Sequence, residues 1–175
     1  MRQSRGTRPV KVQNHPDMNA GGLIAYRPAT SVDWPAIRAL LQSCDLPLDG
    51  AEDYLGSFLV ATAADQIAGC VGIEQHGDAA LLRSVAVTAA HRHRGLGAVL
   101  IARAIALAQC LGIRQLGLLT TTAENYFSRF GFTPIAREKL PEAIRNSVEF
   151  RSACPSSACA MQLDIAIATA LIRNS

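Results

Sequence analysis

The sequence lacks an apolar run long enough to cross a membrane. Its longest weakly charged stretch, residues 95 to 113, is interrupted by Arg103 and Gln109. It does not open with the apolar run a secretory signal needs. It also lacks an even set of cysteines. The five present, at 44, 70, 110, 154 and 159, form an odd number, and three sit inside apolar patterns. That argues against a disulfide framework and for reduced, buried thiols in a cytoplasmic protein. Net charge is nearly absent from most of the chain. Arg2, Arg5, Arg8 and Lys11 against Asp17 give the first 17 residues the whole formal +3, and the remainder is neutral. An alkaline isoelectric point with that distribution is no argument for a nucleic-acid surface. No internal repeat and no low-complexity tract is present.

What is there is one domain's worth of material. The chain has 175 residues, 49% hydrophobic and 18% charged, which suits a folded globular protein. Residues 1 to 20 are polar, basic and aperiodic, and are expected to form a flexible extension to a single domain over 21 to 175. Alternating or apolar runs predict strands at 23–30, 57–63, 66–75, 80–87, 115–120, 132–136 and 158–166. Helical spacing predicts helices over 31–43, about 95–111 and 122–130, the first capped by Thr30 or Ser31. Thr121 and Glu124 have capping-box spacing before the third. The order is β-α-β-β-β-α-β-α-β-β. The helix between the fourth and fifth strands makes those two parallel neighbours in an otherwise mostly antiparallel α/β sheet, with helices on both faces.

One stretch stands out, "HRHRGLGAVLIARAIALAQCLGI" at residues 91 to 113. Gly95 and Gly97 lie where a strand gives way to a helix. Lacking Cβ atoms, they let a ligand approach the backbone. The first helical turn presents unpaired N–H groups and partial positive charge, and Arg92 and Arg94 add formal charge. The combination suits a phosphate. A Walker loop would end in Gly-Lys-Ser/Thr, which is absent. A dinucleotide fingerprint would place a third Gly at position 100, which is Leu.

The segment Arg92-His93-Arg94-Gly95-Leu96-Gly97-Ala98 resembles the R/Q-x-x-G-x-G/A pyrophosphate loop of the GNAT superfamily of N-acetyltransferases. "LLRSVAV" looks like that family's fourth strand, and "AENYFSRFGF" like its late helix with the Gly-Phe that follows. The similarity runs from about residue 23 to 164. "GDAALLRSVAV", "LLTTTAENYFSRFGF", "LPEAIRNSVEFRSACP" and Met161 further resemble the N-acetyltransferases of arsenic-resistance gene clusters, which are themselves similar to short N-acetylglutamate synthases. The resemblance implies a GNAT-like sheet splayed between its fourth and fifth strands, acetyl-CoA as cosubstrate and a small amine as acceptor. For the arsenic-resistance relatives the acceptor is an amino acid or its organoarsenical or phosphinic analogue. Glutamate acetylation in arginine synthesis and a non-catalytic acetyl-CoA-binding module are the alternatives. Nucleic-acid and membrane partners are not expected. The apolar "IAIATALI" near the C-terminus fits either a homodimer interface or the core of one chain.

The implied reaction is direct attack of a neutral amine on the thioester. The family assigns the diphosphate to Arg92, His93, Arg94, Gly95, Leu96, Gly97 and Ala98. It assigns the pantetheine and acetyl carbonyl to the main chain of Val85, Ala86 and Val87, with Phe127 along the arm; Asn125 and Thr120 are either hydrogen-bond donors to the arm or caps. An amine with a pKa of about 10 must lose a proton. If Gly77 and Asp78 are the central turn residues, 74 pairs with 81 and 72 with 83, so Glu74 and Arg83 share a sheet face. Two readings of that pair stay open. Either Glu74 is the base and Arg83 clamps an acceptor oxyanion, or the two form a structural ion pair. Many GNAT enzymes carry a Tyr four residues before the Gly of Gly-Phe, where it protonates the thiolate. Here that position is Phe127, and Tyr126 is turned about 100° from it on a helix, so either Tyr126 is the catalytic acid, reached by a distortion, or water or another group supplies the proton. No metal is expected. The spacing of Cys154 and Cys159 is not a usual metal spacing, and His91 and His93 lack partner ligands.

Overall fold

The computed structural model describes residues 23–153 and 156–165. The basic tail, Cys154 and nearly all of the apolar C-terminal segment lie outside the described residues. Among the described residues seven strands form one sheet: β1 (Ile24–Pro28), β2 (Phe58–Ala63), β3 (Gln66–His76), β4 (Ala79–Val87), β5 (Gln115–Thr120), β6 (Thr133–Ile135) and β7 (Cys159–Asp164). Their spatial order is β1-β2-β3-β4-β5-β7-β6. Only β4 and β5 run parallel; the other neighbours are antiparallel. The helices are α1 (Trp34–Ser43), α2 (Leu96–Cys110), α3 (Glu124–Ser128) and α4 (Glu142–Arg145). This is the mixed α/β arrangement expected from the sequence, with α4 added between β6 and β7.

Local chemistry accounts for the elements. Asp33 accepts hydrogen bonds from the Thr30 amide (2.8 Å) and hydroxyl (2.9 Å), which starts a 3-10 turn leading into α1. Pro35 suits the first turn of α1, where its missing N–H costs nothing. Ile37, Leu40 and Leu41 then face the sheet and pack on Phe58, Val60, Cys70 and Ala86. The opposite sheet face takes α2 through Leu96, Leu100, Ile101, Ala104 and Ala108. Each large aliphatic buried there contributes about 1.5–3 kcal/mol, and the two alanines let the helix lie close to the sheet. α4 covers the face that α1 leaves bare, with Ile144 and Leu140 against Ala79 and Leu81.

Two departures from the sequence expectation matter. The third helix is shorter than 122–130. Its N-cap is Ala123, with no side-chain cap from Thr121; Thr120 Oγ1 accepts from the Ala123 amide at 3.0 Å and closes the turn that leads into the helix. Cys110 is exposed and Cys44 and Cys159 are half-buried, so only Cys70 of the described cysteines is a buried thiol.

Candidate active site

The site begins with a turn. Gly77 has φ +67, and the β3–β4 hairpin closes around Gly77 and Asp78. Its register pairs Glu74 with Leu81 and Gly72 with Arg83, as the sequence predicts. The regular ladder then fails. Gly72 pairs with Arg83 but Cys70 pairs with Ala86, so Val71 faces two residues, Ser84 and Val85. Ser84 takes up the extra residue with φ +57. Cys70 Sγ donates to the Ser84 carbonyl at 3.4 Å, and burial pushes the Cys70 thiol up to about 12, so it keeps its proton. The bulge changes the alternation. Leu82, Val85 and Val87 all pack with the α2 core, while Arg83 and Ala86 face the other way.

On its other edge β4 pairs with β5 through Ala79–Gln115, Ala80–Leu116 and Leu81–Gly117. Beyond Leu81 and Gly117 the strands diverge. A cavity of about 510 Å³ opens in the gap, walled by Leu82 to Val85, by Leu118 to Ala123, by Tyr126 and Phe127, and by Asp45, Leu46, Pro47, Glu149 and Ala158.

Past the C-terminal end of β4 lies the glycine-bearing loop. His93 (φ +61) and Gly95 (φ +79) both hold left-handed conformations. A positive φ on histidine is uncommon and turns successive amides to one side. Gly95 is the N-cap of α2, with no side-chain cap, and the first helical bond is Val99 N–H to the Gly95 carbonyl at 3.1 Å. The amides of Leu96, Gly97 and Ala98 precede that bond, so they have no intrahelical acceptor. Arg92, His93 and Arg94 are exposed. Arg92 Nε donates to the Val87 carbonyl at 3.1 Å, tying the loop to the end of β4. Leu96 is buried in the core, so only its backbone faces this turn. A Cβ on Gly95 would meet nothing within 4 Å, so the space above the turn is open. The residues present therefore fit a diphosphate.

At the other end of the site is a cluster of buried charge. Arg83 is 2% exposed, Glu74 1% and Glu149 5%. Arg83 Nη1 donates to Glu74 Oε2 at 2.5 Å, Nη2 to the Asp49 carbonyl at 2.7 Å, and Nε lies 2.7 Å from Glu149 Oε2 as an ion contact. The second oxygen of Glu74 meets His76 Nε2 at 3.0 Å. The structure thus brings Glu74 and Arg83 together, but Glu74 is not part of the cavity wall, whereas Glu149 is. Sequence reasoning missed Glu149. It lies on a single π-type turn, Glu149–Ala153, far along the chain from Arg83. The unmatched charge of Arg83 in an apolar strand was the one available signal that a distant carboxylate would be needed. Ser84 Oγ, on the same wall, is buried without a hydrogen-bond partner among the described residues.

Tyr126 and Phe127 both reach the cavity, while Asn125 is exposed and outside its wall. The Tyr126 ring packs edge-on against Phe127 and Phe130. Its hydroxyl lies 2.9 Å from where a Cβ on Gly97 would sit, against the first turn of α2. Desolvation raises the Tyr126 phenol above its ordinary value, with Arg129 opposing. Among the described residues no group of three or more His, Cys, Asp or Glu could hold a metal ion, and no helix is long and apolar enough to cross a membrane.

The sheet order, the parallel pair that parts after three residue pairs and the left-handed turn before α2 together define the GNAT acetyltransferase fold. Residues 55–134 match the family model described as acetyltransferase (GNAT) domain. Over 94 residues the chain is 34% identical to the amino-acid acetyltransferase of Azotobacter vinelandii, covering 53% of this chain and 22% of that protein. It is 30% identical over 93 residues to an uncharacterized N-acetyltransferase of Chlorobaculum tepidum, covering 53% of this chain and 59% of that one. The fold superposes on N-acetylglutamate synthase from Neisseria gonorrhoeae, solved with coenzyme A and N-acetyl-glutamate, with a TM-score of 0.71 at 23% identity, over 83% of this chain and 36% of that one. The chain thus spans only about a fifth of the length of the Azotobacter relative.

Proposed function

We propose that the chain is an acetyl-CoA-dependent N-acetyltransferase. It acts on the amino group of a small amino-acid-like compound in the cytoplasm, and the reaction confers resistance to an arsenical or another toxic amino-acid analogue. One juxtaposition carries this reading. The turn at 93–95, with its two positive φ angles, opens beside a strand edge that loses its parallel neighbour after Leu81.

In this reading the amides around Gly95, Leu96, Gly97 and Ala98, with Arg92, His93 and Arg94, hold the diphosphate. The main chain of Val85, Ala86 and Val87 aligns the pantetheine and the acetyl carbonyl, and Asn125 and Phe127 flank the arm. Bound acetyl-CoA supplies a thioester whose carbonyl carbon is open to an amine. Tyr126, which keeps its proton at neutral pH, is the donor for the leaving sulfur. Glu74, with both oxygens engaged behind the wall, holds Arg83 in place.

Glutamate is the second acceptor to consider, because the fold superposes on N-acetylglutamate synthase and the similar Azotobacter protein is an amino-acid acetyltransferase. A thiol-release assay with acetyl-CoA over glutamate, phosphinothricin, arsinothricin, methylated arsenicals and polyamines tests the proposal. Release of free thiol that saturates with one amino-acid-like acceptor is expected. Binding of acetyl-CoA without release on any amine would leave a binding module. Absence of any heat or thermal upshift with coenzyme A would end the acyltransferase reading altogether.

A further inference from the structure

A second hollow, of about 300 Å³, lies between α1 and the loop that follows it. It is lined by Trp34, Arg38, Leu48, Gly50, Glu52 and Asp53 and shares no residue with the wall of the larger cavity. Trp34 and Arg38 are one turn apart on α1, so the indole and the guanidinium are neighbours on one face. Trp34 and Leu48 are half-buried and pack on the core beneath α1. Glu52 and Asp53 come from the 3-10 turn Glu52–Ser57. The side chains of Arg38, Glu52 and Asp53 make no ion pair among the described residues. Opposite charges that border one space without closing on each other leave that space bipolar. Gly50, at φ +69, is the partition between the hollow and the buried charge cluster. It lines the hollow, yet a Cβ on it would lie 3.5 Å from Val148 Cβ and 3.7 Å from Arg83 Nη1. The adjacent Asp49 carbonyl is the one that accepts from Arg83 Nη2 at 2.7 Å.

We infer that this hollow is a second binding site, for a free α-amino acid with an apolar side chain, separate from the cavity between β4 and β5. Its volume is at the small end of ligand pockets and suits a ligand of that size. An α-amino acid carries its ammonium and its carboxylate on one carbon. Arg38 offers its planar fork to the carboxylate, and Glu52 and Asp53 accept from the ammonium. The apolar side chain covers the open faces of Trp34 and Leu48. A simple cation leaves Arg38 unmatched, and a simple anion meets two carboxylates, so the doubly charged ligand alone satisfies both walls. The three charged side chains are exposed, which places the affinity in the millimolar range. The occupant rests against the loop that holds Arg83, and binding orders residues 48 to 53. The site stands whether or not the chain turns over acetyl-CoA.

The chain has one tryptophan, and it lines this hollow, so indole fluorescence of the full chain reports occupancy directly. L-Leucine is expected to produce a saturable change. Isopentylamine, which lacks the carboxylate, and isocaproate, which lacks the ammonium, are expected to bind at least tenfold more weakly. Arg38→Gln, and Glu52→Gln combined with Asp53→Asn, are each expected to weaken leucine binding at least tenfold while leaving coenzyme A affinity within twofold. Amide hydrogen exchange at residues 48 to 53 is expected to slow with leucine bound. No saturable change with leucine, comparable binding of either singly charged analogue, or undiminished leucine binding in Arg38→Gln would each overturn the inference. So would protection from exchange confined to residues 118 to 123, which would place leucine in the larger cavity. If a variant does not fold, the three ligands on the unaltered chain still decide. Leucine binding at the tryptophan without thiol release on any amine upholds this site and counts only against the acetyl-transfer reading.

Discussion

The cavity wall at Arg83 and the loop past the end of β4, the two ends of the site, are made of different materials. At the α2 end the groups on offer are backbone amides, set by left-handed turns at His93 and Gly95 in an exposed loop. At the Arg83 end they are side-chain charges, nearly all buried and drawn from separate parts of the chain. Backbone donors are fixed by conformation and tolerate most side chains around them. Buried charges are fixed by one another, so removing one leaves its partners stranded in low dielectric. The first end should therefore fail in binding and the second in folding.

The largest effect is expected at the buried end. Arg83→Met leaves Glu74 and Glu149 facing each other's field without their cation, and a loss of about 3–5 kcal/mol in stability is expected from urea unfolding. Glu74→Gln, which keeps a hydrogen-bonding oxygen for Arg83, should lose less. A loss below about 1 kcal/mol for Arg83→Met would show that the two ends do not differ in kind.

The opposite pattern is expected at Gly95. A glutamate there must adopt φ +79 and sets a negative charge over the first turn of α2. Since a Cβ meets no neighbour within 4 Å, the fold has no clash to absorb. Coenzyme A affinity should fall at least a hundredfold by calorimetry, about 2.7 kcal/mol, while stability falls by only about 1–2 kcal/mol from the left-handed strain. Retained affinity would refute the cradle.

The same contrast explains what the sequence makes legible. The loop is contiguous, so its glycines, arginines and following apolar helix can be read together. The Gly77–Asp78 turn is equally local, and from it the pairing of 72 with 83 and 74 with 81 follows by counting. The bulge does not announce itself, because Ser84 carries its positive φ without a glycine or proline to mark it. Glu149 and the Asp49 carbonyl reach Arg83 only through tertiary folding, so no spacing rule exposes them. That Glu74 stands behind the cavity wall is hidden for the same reason. Sharing a sheet face with Arg83 does not say which of the two is covered, and the turn carrying Glu149 takes the place at the wall.

A third arginine–carboxylate contact separates burial from pairing as the cause of these differences. Arg27 and Asp33 meet through two bonds of 2.7 Å each, as geometrically good as those at Arg83, but the Arg27 side chain is 42% exposed. The Arg27 hydrogen bonds, and then the Thr30 donors, hold the Asp33 carboxyl well below the usual carboxylate range, against the opposing effect of its own burial. Because its folded value is depressed, the pair's stabilisation is complete above the unfolded value of about 4 and drains away as pH falls below it. Solvent screening at Arg27 limits its size. Asp33→Asn should therefore cost only about 1 kcal/mol at pH 7, part of it from the weakened cap. Unfolding midpoints of the variant and the unaltered chain should begin to converge as pH is lowered below about 4, with the gap narrowed but still open at pH 3. A loss at pH 7 as large as that of Arg83→Met would mean that pairing itself, and not burial, sets the scale. A gap that stays constant down to pH 3 would remove the charge of Asp33 as its source.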